Sequence, residues 1–226
     1  MMRKFTVETN YLKTDKTACL ISMGETKVLT VATILPKVPP FLNPIESGWI
    51  TAEYSMLPRS SKSRIRRERN KIKKRGVEIE RLIARSLRNA VDLSKMPGKS
   101  IIVDCDVIKA DGGTRIASIN GGMISLYILL KEMHSEGLID EMPVKYFIAG
   151  LSAGIIGNDI FTDIDYRKDA DADTDMNIVM NEKGKLVEIQ GTGERDVFSV
   201  NALHRMIRMC RDDIMKIIQK QKQAAL

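Results

Sequence analysis

Apolar residues follow two different spacings that alternate along this chain, and the alternation limits the folds that it can adopt. Short runs rich in β-branched residues are typical of strands, whereas apolar residues that recur every three or four positions are typical of helices. The order of these segments predicts an α+β fold. Strands are predicted at 18–23, 26–34, 49–56, 100–108, 147–155, 159–166, 173–180 and 185–190, and helices over 79–91, over 116–134 and from the N-cap Ser199 onward.

The chain is predicted to form a single domain over residues 1–226. Its 226 residues and 43% apolar content suffice for a substantial core, and no low-complexity linker divides it. The succession of strands and helices indicates two similar halves, although no residue-level repeat is visible. The longest apolar segment, 123–130, is too short to cross a bilayer, and no signal-peptide pattern is present. We therefore expect a cytoplasmic protein that does not contact a membrane.

The cysteines and histidines argue against several kinds of catalytic site. Cys19, Cys105 and Cys210 are odd in number and far apart in sequence, so they predict buried, reduced thiols and no zinc site. Only two histidines are present, His134 and His204, and both occur in helix-like segments. A mechanism that uses a serine or cysteine nucleophile with a histidine base is therefore poorly supported.

Basic residues are concentrated in residues 59–75, here called the basic arm. The arm contains ten Lys and Arg residues, one acid and two isoleucines, in a chain with a net charge of +7. Such a segment cannot bury itself, so we expect a loop or arm between packed elements. It could act as a solubilising loop, but the concentration of charge favours contact with a nucleic acid backbone. Because few aromatic residues accompany it, sequence-specific recognition is not indicated.

Six aspartates fall within thirteen residues near the C-terminal third of the chain. Carboxylates packed this closely repel one another unless a cation lies among them, so the cluster indicates a site for a hard divalent ion. The alternative is a solvated acidic loop. The six residues are Asp163, Asp165, Asp169, Asp171, Asp173 and Asp175.

A glycine turn at residues 111–115 follows a predicted strand and opens a predicted helix. The backbone N–H groups at such a helix start can converge on an anion, and Thr114 and Arg115 add a hydroxyl and a guanidinium suited to phosphate. A Gly-Gly turn is also a common structural feature. Together, the basic arm, the aspartates and this turn provide what phosphoryl transfer needs, which is mainly positioning and charge neutralisation.

Five long segments resemble the RNase PH family, and the likeness runs from about residue 24 to the C-terminus. The resemblance implies the RNase PH-type fold, in which mixed sheets pack with helices in pseudo-duplicated halves, related to polynucleotide phosphorylase and the exosome ring subunits. It also implies a phosphate-dependent 3′ to 5′ exoribonuclease that trims the 3′ ends of transfer RNA precursors and releases nucleoside diphosphates. The reverse polymerisation is possible, and a homohexamer built as a trimer of dimers is expected. The segments are 48–59, 78–88, 104–108, 110–115 and 173–177.

The resemblance also assigns roles to individual residues. Inorganic phosphate is implied as co-substrate and Mg²⁺ as cofactor, with Mn²⁺ as the alternative metal and RNA as the macromolecular partner. Phosphate would attack the last internucleotide linkage in line, near the metal-bound carboxylates. The phosphate ligands implied are Arg75, Gly113, Thr114 and Arg115; the catalytic metal ligands are Asp169 and Asp175; and the RNA contacts are Arg59, Arg64, Arg66, Arg67 and Arg69.

The N-terminus departs from the family pattern. An Arg-x-x-Gly-Arg type segment usually precedes the first strand, whereas this chain begins Met-Met-Arg-Lys. A role of the N-terminus in the subunit interface or RNA path is therefore in doubt. Two alternatives remain at this point, a catalytically inactive RNA-binding ring subunit and an architectural RNA-binding protein that uses only the basic arm.

Overall fold

Two β-sheets and four α-helices make up the part of the chain that the structure describes. It is a computed structural model that describes residues 2–42, 46–66 and 74–226, without the side chains of Lys74 and Arg75. The strands are β1 (Phe5–Thr9), β2 (Cys19–Met23), β3 (Thr26–Leu35), β4 (Trp49–Met56), β5 (Ser100–Lys109), β6 (Ile148–Ile156), β7 (Asp159–Thr162), β8 (Thr174–Asn181) and β9 (Leu186–Gly193). The helices are α1 (Lys74–Ala90), α2 (Thr114–Ser135), α3 (Tyr166–Asp171) and α4 (Val200–Ala225), with a 3₁₀ turn at Leu93–Lys95.

The first sheet is mixed and the second is antiparallel. In the first sheet the strand order is β1-β2-β3-β5-β4, and only the β4–β5 pair is parallel. The parallel pair is possible because the chain crosses over through α1 between β4 and β5. In the second sheet the order is β7-β6-β8-β9. The predicted α+β class is confirmed, while the single-domain organisation and the similarity of the two halves stay predictions.

Most of the predicted elements are present, but the strand predicted at 159–166 is wrong in its second half. β7 ends at Thr162 because Asp163 has a left-handed φ of 52° and turns the chain away from the sheet. Asp165 then caps α3, its side chain accepting a hydrogen bond from the backbone N–H of Lys168 at 2.9 Å. The sequence patterns also missed β1 and α3, which are five and six residues long.

Helix α2 lies between the two sheets and is buried along most of its length. It packs against β3, β2 and β5 on one side and against β6, α1 and α4 on the others. Every residue from 116 to 126 is buried, as expected of a helical segment with no solvent-facing side. Gly121 and Gly122 allow the close approach, since a Cβ on Gly121 would lie 2.7 Å from Ile21 Cγ1 and 2.9 Å from Thr30 Cγ2.

Asn120 ties the middle of α2 to the second sheet. Its Oδ1 accepts a hydrogen bond from the Gly150 N–H at 2.8 Å, and its Nδ2 donates to the Gly150 carbonyl at 3.1 Å. Its own carbonyl accepts from Gln221 Nε2 of α4 at 3.0 Å. Because this buried amide has its partners, it fixes the helix against β6 at little desolvation cost.

Helix α4 packs against β6, β7 and β8 of the second sheet and also contacts α2 and β1. Ser199 accepts a hydrogen bond from the Ala202 N–H at 3.1 Å, which confirms the predicted N-cap. The buried face of the helix carries Met206, Cys210, Ile214, Ile217 and Ile218, as the periodicity predicts.

The three cysteines are buried and free, as predicted. Burial raises the pKa of Cys19 and of Cys210 to about 12, and it also raises the pKa of Cys105. The thiols are therefore protonated and unreactive at neutral pH. Among the helices of the described residues, none combines the length and the apolar composition needed to cross a membrane.

The close packing of α2 predicts different stabilities for substitutions at two adjacent glycines. Gly121→Ala would force a methyl group against Thr30, whose hydroxyl is held by Ser125 and the Cys19 carbonyl. Gly122→Ala would meet the ends of the Leu87 and Val103 side chains at 3.3 and 3.2 Å, where small shifts suffice. Both variants gain the same helix propensity, so we expect Gly121→Ala to be the less stable by about 1–3 kcal/mol. Urea unfolding measures this difference, and equal midpoints would contradict it.

Candidate active site

The glycine turn between β5 and α2 is held in a fixed conformation. Gly112 and Gly113 have left-handed φ values of 77° and 69°, and a Cβ on Gly112 would lie 2.6 Å from the Ile164 carbonyl oxygen. Thr26 Oγ1 donates to the Gly112 carbonyl at 2.7 Å and accepts from the Asp111 N–H at 2.9 Å. Gly113 is the N-cap of α2, so the first N–H groups of this helix lack intrahelical acceptors and can bind an anion.

The N-terminal segment holds the same turn from a second side. Arg3 Nη1 donates to the Asp111 carbonyl at 2.6 Å, and Arg3 Nη2 pairs with Asp163 Oδ1 at 2.7 Å. The Arg3 backbone N–H also donates to Asp163 Oδ2 at 2.7 Å. The Asp163 side chain is 1% exposed, so this ion pair is almost fully removed from water. Asp163 therefore has a structural role, and the N-terminus of this chain reaches the turn.

The first residues of α2 direct their side chains to neighbouring elements. Thr114 Oγ1 shares a hydrogen bond with the Tyr54 hydroxyl of β4 at 2.8 Å. Arg115 Nη1 donates to Gln190 Oε1 of β9 at 2.7 Å and contacts Glu78 Oε1 of α1 at 3.4 Å. Gln190 Nε2 in turn donates to Glu78. The guanidinium is thus positioned between α1 and the second sheet.

One face of the second sheet lies opposite the glycine turn. In the β6–β8–β9 register, Asn177 lies between Ser152 and Gln190, and Asp175 lies between Gly154 and Thr192. Side chains two residues apart on a strand share a face, so Asp175 and Asn177 point the same way. Because Gln190 bonds Arg115 and Ser152 Oγ lies 3.8 Å from the position of a Cβ on Gly113, this polar face is turned towards the start of α2.

Asp175 lies within electrostatic range of both Asp169 and Arg115. Burial raises the pKa of Asp175 above its usual value, and the negative charges of Asp169 and Glu194 raise it further, while Arg115 opposes the shift. Asp169 is exposed, as are the other residues of α3. The two predicted catalytic carboxylates therefore lie within electrostatic range of each other, and Asp175 lies within the same range of the predicted phosphate-binding arginine.

The other aspartates of the cluster are occupied elsewhere. Asp165 caps α3, and Asp173 Oδ2 accepts from the Gly157 N–H at 2.7 Å in the β6–β7 turn. Asp171 is exposed, and its carbonyl accepts from Arg195 Nη1 at 3.3 Å. The six carboxylates thus do not form one cage.

Asp169 and Asp175 can supply only part of the coordination sphere of a magnesium ion. Within residues 2–42, 46–66 and 74–226, no group of three or more His, Cys, Asp or Glu side chains is arranged to hold a metal. Mg²⁺ is usually bound in proteins by one or two carboxylates, with waters and substrate phosphates completing its octahedron. Asp169 and Asp175 fit a site of this kind, which the substrate would complete.

The basic arm starts beside the glycine turn. The Ala110 N–H donates to the Ser60 carbonyl at 2.7 Å, and the Ile65 N–H donates to the Pro58 carbonyl at 2.8 Å. Arg59, Arg64 and Arg66 are exposed. Three further predicted residues lie outside the description, Arg67 and Arg69 entirely and Arg75 in its side chain.

Two family models match the chain. The 3′ exoribonuclease family, domain 1, matches residues 1–131, and the 3′ exoribonuclease family, domain 2, matches residues 146–212. The chain therefore belongs to the 3′ exoribonuclease family. The buried apolar residues of both matched segments join in one continuous core.

Relatives that match nearly the whole chain carry the name ribonuclease PH. Two of them, from Neisseria meningitidis serogroup C, serotype 2a, and serogroup A, serotype 4A, are each 42% identical over 225 residues, which cover 99% of this chain and 93% of the relative. The predicted resemblance to RNase PH is confirmed. So is the predicted class of activity, a phosphate-dependent 3′ to 5′ exoribonuclease, and the alternative of an inactive ring subunit is not favoured.

Solved structures share the fold at low sequence identity. Rice (Oryza sativa) Rrp46 has a TM-score of 0.78 at 16% identity and covers 100% of this chain and 96% of its own. An archaeal exosome core has a TM-score of 0.76 at 20% identity, covering 98% and 87%. An Archaeoglobus fulgidus exosome with RNA bound to the active site has a TM-score of 0.77 at 20% identity, covering 99% and 88%. These likenesses confirm the predicted fold.

The raised pKa of Asp175 predicts how stability depends on pH. The folded state binds a proton at Asp175 more tightly than the unfolded state, so the wild type loses stability as the pH rises from the ordinary carboxyl pKa, about 3.9, through the raised one. Asp175→Asn lacks this loss. We therefore expect the stability of Asp175→Asn relative to the wild type to increase with pH over this window.

Urea unfolding in the presence of a chelator, from about pH 4 to neutrality, measures this trend. Asp171→Asn, which removes an exposed carboxylate of the same cluster, is the control variant. A relative stability of Asp175→Asn that falls with rising pH would contradict the assignment.

Proposed function

We propose that this chain removes nucleotides from the 3′ ends of transfer RNA precursors by phosphorolysis at the site formed by α2, α3 and β8. The observation that carries the proposal is the placement of Arg115 and the Gly113 turn opposite Asp175 and Asp169. Phosphorolysis of a phosphodiester requires a cationic binding site for phosphate and an anionic binding site for a metal ion at the same location.

Inorganic phosphate would bind at the start of α2. Gly113 exposes backbone N–H groups there, Thr114 presents a hydroxyl oriented by Tyr54, and Arg115 presents its guanidinium. Arginine has five N–H donors. Because the contacts of Nη1 with Gln190 and Glu78 fix the orientation of the guanidinium, its remaining N–H groups can donate to phosphate. Arg75, which lies on the first turn of α1, is proposed as a further phosphate ligand from the family pattern.

The reaction is an in-line displacement at phosphorus. An oxygen of the bound phosphate forms a bond to the phosphorus of the last internucleotide linkage, and the bond from that phosphorus to the 3′ oxygen breaks. The departing 3′ oxygen takes up a proton, and the terminal nucleotide leaves as its diphosphate. Arg115 stabilises the charge that accumulates on the phosphoryl oxygens, and Thr114 holds the attacking phosphate in line.

Asp169 and Asp175 would hold Mg²⁺, with Mn²⁺ as the alternative, beside the scissile linkage. When bound, the ion supplies Lewis-acid charge neutralisation at the phosphoryl oxygens. The raised pKa of Asp175 supports this role, because a carboxylate that is costly to ionise alone gains most from a cation.

The basic arm would track the RNA backbone into this site. Its start is fastened next to the glycine turn through Ser60 and Ala110, and its exposed arginines follow from there. Contacts of this kind are with phosphates, so they position the RNA without reading its sequence. The proposed contacts are Arg59, Arg64, Arg66, Arg67 and Arg69.

We also propose that the chain acts as a homohexamer, a trimer of dimers, in the cytoplasm. The relatedness to ribonuclease PH and to exosome structures supports a ring assembly, and the three buried free thiols suit a reducing compartment. Sedimentation of the purified protein would test the assembly.

The assay that tests the function uses a transfer RNA precursor with a 3′ extension, Mg²⁺ and labelled phosphate. We expect the wild type to release labelled nucleoside diphosphates, whereas a hydrolytic nuclease would release unlabelled monophosphates. Asp175→Asn and Asp169→Asn should each lower single-turnover rates by about 100-fold or more, since charge stabilisation at the reacting group is lost. RNA affinity should change little.

Asp171→Asn is the matched control, because it removes a carboxylate of the same cluster that contacts neither Asp175 nor the turn in the described interactions. It should keep near-normal rates. A near-normal rate for Asp175→Asn would refute the catalytic assignment.

Replacing the phosphate-binding guanidinium should act on phosphate use. Arg115→Lys keeps the charge but loses the planar fork and its anchor on Gln190. We expect the KM for phosphate to rise by about tenfold or more. Initial rates at varied phosphate measure it, and Arg208→Lys, an exposed arginine of α4, provides the control. An unchanged KM in Arg115→Lys would place the phosphate elsewhere.

A further inference from the structure

Ser152 on β6 has a buried hydroxyl without a hydrogen-bond partner. The residue is 5% exposed, and Oγ makes no hydrogen bond within the described part of the chain. A buried hydroxyl left unpaired costs free energy, so such a group in a native protein calls for an explanation, and a ligand contact is one of the common ones.

The backbone around Ser152 is fixed, so the hydroxyl can change its position only by rotation about the Cα–Cβ bond of the residue. The Ser152 carbonyl accepts from the Asp163 N–H at 2.6 Å and from Cys210 Sγ at 4.0 Å. The residue lies in the middle of the second sheet, paired with Asn177. A short side chain on a central strand has a defined direction, and here that direction is towards the glycine turn.

The distance to Gly113 shows what the hydroxyl faces. A Cβ on Gly113 would lie 3.8 Å from Ser152 Oγ, and it would also lie 3.3 Å from Arg3 Nη2. Gly113 has no side chain, so the space between the hydroxyl and the start of α2 is not filled by that residue. The helix N-terminus, which attracts anions, and an unpaired hydroxyl donor therefore meet at the same place.

Ser152 and Arg115 lie at opposite ends of the same row of polar residues. Ser152, Asn177 and Gln190 form one row across β6, β8 and β9, and Gln190 holds Arg115 at the far end. Two strand spacings separate the ends of this row by about 9–10 Å. An anion above Asn177 could accept hydrogen bonds from both ends.

An unpaired hydroxyl is not in itself diagnostic in this chain. Ser60, Ser86 and Ser100 are also buried with unpartnered hydroxyls in the described residues. Ser100 begins β5, about 30 Å along that strand from the end that leads to the glycine turn. Ser152 differs from it in facing a helix N-terminus beside an arginine and two catalytic carboxylates.

We propose that Ser152 is a phosphate-contacting residue, whose hydroxyl donates a hydrogen bond to an oxygen of the inorganic phosphate bound at the start of α2. The inference rests on the proposed function and adds a contact from the second sheet to the ligands of the α2 turn. The phosphate is then held from two sides, by Ser152 at one end of the polar row and by Arg115 at the other.

The first test measures phosphate binding without RNA or turnover. Wild type, Ser152→Ala, Ser152→Thr and the control Ser100→Ala are each titrated with inorganic phosphate while the Tm is followed. A ligand that binds only the folded state raises the Tm, and the dependence on concentration gives its affinity. We expect Ser152→Ala to need about 10-fold to 100-fold more phosphate for the same shift, as for a lost hydrogen bond to a charged group.

Each variant is compared with its own Tm in the absence of phosphate, so a general loss of stability is not mistaken for a loss of binding. Ser100→Ala should keep the wild-type phosphate dependence, and Ser152→Thr, which restores a hydroxyl, should recover part of it. If Ser152→Ala shows the wild-type phosphate dependence, the inference is overturned.

The second test separates inorganic phosphate from the phosphates of RNA. Ser152→Ala should raise the KM for phosphate in diphosphate release while leaving kcat and the affinity for an oligoribonucleotide near wild-type values. A weakened RNA affinity with an unchanged phosphate dependence would overturn the inference. If the wild type itself releases no diphosphates, the proposed function fails; if the wild type is active and only the Ser152→Ala effects are missing, this inference alone fails.

Discussion

The burial of α2 between the two sheets is the constraint on which the active site depends. A helix enclosed on all sides cannot shift along its axis, because Gly121 fits against Ile21 and Thr30 and the Asn120 amide is bonded to β6. The N-terminal end of this helix is therefore a fixed point. The second sheet packs on the same helix, so the distance from its polar face to the start of α2 is set by core packing.

The glycine turn is held from several directions, which accounts for its unusual backbone. Thr26 from the first sheet and Arg3 from the N-terminal segment bond its backbone, and Asp163 anchors Arg3. Positive φ values in two consecutive residues favour glycine, and they persist because the surroundings fix them. An anion bound here meets donors that are already in place, so little ordering has to accompany binding.

The positive and negative side chains of the candidate site are placed on different elements. Arg115 is tied to the second sheet through Gln190, while Asp175 on that sheet lies near Asp169 of α3. The charges of Arg115 and Asp169 act in opposite directions on the pKa of Asp175, although the three residues belong to different elements. Phosphoryl transfer uses such a division, because the nucleophile and the metal need opposite charges at neighbouring positions.

The sequence alone indicated the α+β class, the main strands and helices and the glycine turn, because periodicity and turn chemistry are local. The pair Asp169 and Asp175 came from the resemblance to long family motifs, and its catalytic role stays a prediction. Tertiary structure decided the rest. Arg3, Ser152 and Gln190 carry no local signal of function, and they reach the site only because two sheets fold onto one helix. The sequence patterns did not predict the turn at Asp163 for the same reason. An ion pair between Arg3 and Asp163, which lie 160 positions apart, stabilises this turn.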